Sequence, residues 1–142
     1  MDLKTSLVDL QCELVAVRTL ANPKNISWLQ YDILHQLDKE EQILPSNLSI
    51  ILGISRTKLS KALKGLKSLG YVQQLTNQLD GRELYTSITH KGKALLVGIS
   101  NKHTLLYETA LEVLTKDEQE EFTRLSNKLS SGLRKERIEN NE

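Results

Sequence analysis

The chain has 142 residues, a formal net charge of +1, 39% hydrophobic and 26% charged side chains, a length that suits one domain, with or without extra helices, and no second large core. No uncharged apolar run approaches the roughly 20 residues of a membrane span, and Met1-Asp2-Leu3-Lys4-Thr5 lacks the basic start and apolar block of a signal peptide. A single cysteine, Cys12, closes no internal disulfide, so the expectation is a cytoplasmic chain with no membrane partner and a core of Leu, Ile and Val.

Leu3, Leu7, Leu10, Leu14 and Val17 recur at heptad spacing and predict a first helix. Asn22-Pro23-Lys24-Asn25 breaks it, and Ser27 is placed to cap a second helix with Leu29, Ile33, Leu34 and Leu37 on its inner face. A polar turn at Asp38–Gln42 and a short extended piece at Ile43-Leu44 lead to Pro45. Two short helices follow. Ser46 is expected to cap the first, which buries Leu48, Ile51 and Leu52; Gly53 turns the chain, Ile54 plugs the turn and Ser55 caps the second. That second helix repeats apolar residues at Leu59, Ala62, Leu63, Leu66 and Leu69, and Gly70 ends it. Tyr71–Leu75 and Leu84–Ile88 are rich in β-formers and bracket a polar loop containing Asp80-Gly81, a hairpin signal. One long helix is expected from Thr89 through Leu95, Leu96, Ile99, His103, Leu106, Ala110 and Leu114. Thr115-Lys116-Asp117-Glu118 is a capping box opening the last helix, which carries Phe122, Leu125, Leu129 and Leu133. A helix-turn-helix followed by a hairpin is a winged helix. The predicted class is therefore mainly α with a small β-hairpin wing, between N- and C-terminal helices.

Charge is segregated along this order. Residues 1–41 sum to −3, residues 42–102 to +7 and residues 103–142 to −3, with no acidic residue between Glu41 and Asp80. In the second short helix Arg56, Thr57, Lys58, Lys61, Lys64 and Ser68 fall mainly off the leucine stripe, so one face anchors and the other is free to enter a groove.

In this order and spacing the chain resembles the MarR family of winged-helix regulators over nearly its whole length. The resemblance is carried by Asp80-x-Arg82 followed, after five intervening residues, by Ile88-Thr89-x-x-Gly92, by Leu52-Gly53-Ile54-Ser55 with a helix ending Leu69-Gly70-Tyr71-Val72, and by Leu114-Thr115 before acidic residues. It implies a single MarR-type domain over residues 1–142. Residues 27–92 would form the DNA-binding part, and residues 1–21 and 93–138 the dimerisation helices of a homodimer. By position, Asp80 braces the wing and Arg82 enters a minor groove. Gln73 and Gln74 depart from the basic residue common at the wing base, which weakens the expected phosphate grip there.

The expected partner is double-stranded DNA, read as a palindrome by a regulator of the repressor type. Arg56, Thr57, Lys58, Ser60 and Lys61 are the candidates for base edges. Lys64, Lys67, Lys91 and Lys93, with backbone N–H groups at the Ser46 and Ser55 helix starts, are the candidates for phosphate. Leu3, Leu7, Leu10, Leu14, Phe122, Leu125, Leu129 and Leu133 are the candidates for packing against a second copy. Trp28 and Tyr31 lie where the resemblance implies a small-molecule effector, or else are plain core aromatics. Cys12 has no cationic neighbour in sequence to make a thiolate, so burial is favoured over a redox role. His35, His90 and His103 are too dispersed for a metal site. Lys91-Gly92-Lys93 lacks Walker spacing, and Ser55-x-x-Lys58 lacks the companion motifs of a penicillin-binding nucleophile. No cofactor and no enzyme activity are expected. The alternative is a helical adaptor whose basic face holds an acidic protein.

Overall fold

In the computed structural model, which describes residues 1–23, 25–76 and 84–140, the order is α1 (Leu3–Leu20), α2 (Trp28–Lys39), α3 (Pro45–Leu52), α4 (Arg56–Ser68), β1 (Val72–Thr76), β2 (Leu84–Ile88), α5 (His90–Lys102), α6 (Leu105–Val113) and α7 (Lys116–Glu139). The fold is mainly helical with one antiparallel hairpin, in register from Val72↔Ile88 to Thr76↔Leu84. Ile43 adds a one-residue bridge by exchanging two backbone bonds with Thr86, at 3.0 and 2.8 Å, so the expected extended piece before Pro45 is there.

The core belongs to the central part of the chain. Ile33, Leu34 and Leu37 of α2 meet Leu48 and Ile51 of α3, Leu59, Leu63 and Leu66 of α4, Tyr71 and Val72 of the wing, and Leu96 and Ile99 of α5. Burying each of the aliphatic side chains in this set is worth about 1.5–3 kcal/mol. By contrast α1, α6 and α7 bury no residue within the chain. Among the described residues no helix is long and apolar enough to cross a membrane.

Local chemistry explains most of the boundaries. Ser27 caps α2 in a full capping box, its hydroxyl accepting from the Gln30 N–H at 3.1 Å while the Gln30 side chain accepts from the Ser27 N–H at 2.9 Å. Thr115 and Glu118 do the same for α7, as their spacing predicted. Two expectations are corrected. Ser46 does not cap α3: Leu44 is the cap residue without a side-chain bond, Pro45 opens the helix, and Ser46 lies inside the first turn. The helix expected from Thr89 to Leu114 is two helices, broken at His103 and Thr104 where the backbone leaves helical geometry. Ser100, Asn101, His103 and Thr104 gather at that break, residue types that favour caps over helix interiors.

Candidate nucleic-acid interface

Helix α4 is held by its apolar face and offers the other. Gly53 takes φ +67, a left-handed turn that other residues adopt only under strain, and its N–H returns to the Ile50 carbonyl at 3.1 Å. The Ile54 N–H returns to Ser49 at 3.1 Å, and the Ser55 hydroxyl caps α4 by accepting from the Lys58 N–H at 3.1 Å. Leu59, Ala62, Leu63 and Leu66 are buried, while Arg56, Thr57, Lys58, Ser60, Lys61 and Lys64 are exposed. Lys58, Lys61 and Lys64 have no ion-pair partner among the described residues. An open groove of about 840 Å³ runs between this face and the hairpin, from Arg56 past Lys61 and Lys64 to Gln74 and Leu84.

The hairpin is fixed to the end of α4 through one threonine. The Thr89 N–H donates to the Tyr71 carbonyl at 3.1 Å and its hydroxyl donates to the Gly70 carbonyl at 2.7 Å. The same hydroxyl accepts from the Gly92 N–H at 3.1 Å, capping α5. Lys91, expected on phosphate, is committed to this joint: its ammonium donates to the Leu69 carbonyl at 2.8 Å and stands 5.1 Å from the Tyr71 ring centre. Lys67 reaches the Gln74 amide oxygen at 3.4 Å, joining α4 to β1. Asp80 and Arg82, the expected wing residues, lie outside the described residues.

Sequence reasoning missed Gln30 as a brace for α4. Besides capping α2, its amide donates to the Ala62 carbonyl at 3.2 Å, packed where Gly65 leaves no Cβ. The Ser27-x-x-Gln30 spacing signals the cap, but nothing local signals the second bond.

Trp28 and Tyr31 sit together at the joint between α1, α2 and α5. Their rings meet edge to face at 5.3 Å, and the His103 ring meets Trp28 at 5.2 Å. The indole N–H is shared between the carbonyls of Arg18 and Ala21, each at 2.9 Å. Arg18 lies over the indole at 5.0 Å and grips Asp32 with two bonds of 2.8 and 2.7 Å, which holds its guanidinium pKa above the usual value against partial burial. Arg18, Trp28, Tyr31 and His103, with Ile99 and Lys102, border a cavity of about 330 Å³; a neighbouring one of about 370 Å³ shares Ile99, Lys102 and His103.

The apolar candidates on the outer helices are open to solvent in the single chain: Leu7 39%, Leu14 36%, Leu125 47% and Leu129 48% exposed, with Leu3, Leu10, Phe122 and Leu133 likewise open. Cys12 is also exposed, so its burial is not met within one chain.

An outward basic helix after a glycine turn, beside a hairpin and braced on an aliphatic core, is the arrangement of a winged helix-turn-helix. The MarR family model matches residues 24–83, a stretch that holds α2, α3, α4 and β1. The transcriptional repressor MprA of Escherichia coli is 32% identical over 89 residues, covering 61% of this chain and 51% of MprA. The chain thus spans about half the length of the curated relatives it matches. A MarR protein from Peptoclostridium difficile shares the fold with a TM-score of 0.76 at 22% identity, over 98% of this chain and 96% of that one. A mutant MarR from E. coli, solved in complex with operator DNA, has a TM-score of 0.63 at 23% identity, over 91% of this chain and 99% of that one.

Proposed function

We propose that this chain is a sequence-specific double-stranded DNA-binding transcriptional regulator, acting in the cytoplasm as a homodimeric repressor on a palindromic operator. The observation that carries the reading is α4: its leucine face is spent on the core, and its opposite face presents Arg56, Lys58, Lys61 and Lys64 beside the hairpin groove. Lysines with no carboxylate opposite them are suited to displacing counterions from a phosphate backbone, which supplies affinity. Arg56, Thr57, Lys58, Ser60 and Lys61 occupy the first two turns, the part of a recognition helix that meets base edges. The family match over residues 24–83 and the operator complex of a fold neighbour support the same surface. From sequence, Arg82 belongs at the wing tip.

Homodimer formation is supported by the exposed leucines of α1 and α7, more apolar surface than a winged helix of this size covers by itself. A small effector is proposed for the cavity beside Trp28 and Tyr31, where Lys102 favours an anion and the two rings an aromatic or apolar body. Binding there loosens DNA only if it prefers a dimer whose recognition helices are wrongly spaced.

Selection from random duplexes tests the reading. A palindrome must be enriched, with affinity falling steeply with salt, and Arg82→Ala must weaken binding without lowering thermal stability. An adaptor for acidic proteins enriches nothing.

A further inference from the structure

The far end of α7 is tied to the helix-turn-helix by contacts that the interface above does not use. Arg134 donates to the Glu40 carboxylate at 2.9 Å, and Glu40 is the residue that closes α2. Arg137 donates through Nε to the Ile51 carbonyl at 2.9 Å. The last carbonyls of a helix have no partner within it. In α3 those of Ser49 and Ile50 are taken by the N–H groups of Ile54 and Gly53, and that of Ile51 by a side chain 86 residues away. The guanidinium is also a cation at the negative end of α3. The Arg137 stem passes 3.6 Å from where a Cβ on Gly53 would stand, and its head borders the same hollow as Ser46, Ser55 and Arg56. One contact alone leaves a pivot. Two contacts, one before α3 and one in its last turn, fix the direction of the helix.

We propose that Arg134 and Arg137 are positioning residues, a two-point strut through which α7 sets the orientation of the α3–α4 turn and so the separation of the two recognition helices in the dimer. The proposal rests on the dimeric DNA-binding reading above. α7 carries the leucines offered to a second copy at one stretch and the strut at its end, so subunit packing and helix orientation become one rigid relation. A rigid relation makes affinity a sharp function of half-site spacing, because each added base pair displaces a half-site by about 3.4 Å and rotates it by about 35°.

The test uses the full chain, the palindrome recovered by selection, the same palindrome lengthened or shortened by one base pair, and a duplex with a single half-site. The wild type is expected to lose about 10-fold or more in affinity per base pair of mis-spacing. The double variant Arg134→Gln, Arg137→Met is expected to lose about 5- to 10-fold on the native spacing and to distinguish the spacings by about 3-fold or less, with single half-site affinity changed less than about 2-fold. Arg137→Lys, which keeps a cation at the carbonyl, is expected to fall between the two. A double variant that retains the wild-type spacing profile overturns the proposal, as does a uniform loss on every duplex accompanied by a lower Tm. If the wild type selects no palindrome, the DNA-binding reading falls instead. The strut is then judged by hydrogen exchange at Gly53–Ser55, and it fails if the double variant leaves those amides unchanged.

Discussion

At the level of single residues, the Thr89-x-x-Gly92 spacing that carries the family resemblance has a local physical cause. Thr89 caps α5 and ties its start to the carbonyls of Gly70 and Tyr71, which brings the first turn of α5 against the start of the wing. A Cβ at Gly92 would lie 2.3 Å from the Tyr71 carbonyl oxygen and 2.7 Å from Ile88, so only glycine fits. Gly92→Ala is expected to destabilise the fold by about 2–4 kcal/mol in urea unfolding. Gly98→Ala is the internal control: its Cβ meets nothing within 4 Å in mid-α5, so removing glycine entropy is expected to stabilise by about 0.5–1 kcal/mol. The motif was legible in the sequence, while its reason was not, since the clash involves backbone 21 residues away. The structural tie of Lys91 was hidden for a similar reason: sequence shows a lysine near a basic helix but not the carbonyl within its reach.

At the level of elements, α4 was readable because its amphipathic period, glycine turn and serine cap all agree, and the structure keeps each one. Lys58→Gln, Lys61→Gln and Lys64→Gln, taken one at a time, are expected to lower the slope of log affinity against log salt by about one each. Unfolding should stay within about 0.5 kcal/mol of wild type, since none of the three holds an ion pair among the described residues. The break between α5 and α6 was hidden because the apolar pattern runs through it. Leu96 and Ile99 face the core before the break, and Leu105 and Leu106 face solvent after it. Ser46 failed as a cap because Pro45, with its backbone preset for a first helical turn, moved the helix start two residues earlier than a serine-led reading places it. At the start of α7, the Thr115 backbone N–H and then its hydroxyl hold the Glu118 carboxyl below the usual glutamate range. A carboxyl lowered on folding stabilises above its unfolded pKa and loses that contribution as pH falls through the folded one. The difference in Tm between wild type and Glu118→Gln is therefore expected to shrink as pH drops from neutral to about 3, which a pH series of melts reads directly.

At the level of the whole molecule, two populations of leucine look alike in sequence and behave differently in the fold. Those of α2, α3 and α4 close a core, whereas those of α1, α6 and α7 close nothing within the chain. Periodicity marks a helical face but not the chain that covers it, and so the central part of the fold was more legible than its periphery. Leu125→Glu with Leu129→Glu places two charges where a second copy is proposed to pack. The variant is expected to sediment as a monomer with its winged helix intact and to lose about 100-fold or more on a palindrome, while single half-site binding persists.

The chain contains one tryptophan, and its indole N–H is divided between two carbonyls at the close of α1 beneath an arginine. This gives the molecule an intrinsic optical gauge. Any shift of α1 against α2 exchanges those acceptors for solvent and moves a cation relative to the excited indole dipole, so the emission maximum reports the joint without a label. Titrations with duplexes or with small aromatic acids are thereby readable in the unmodified protein, each as a colour change arising from Trp28.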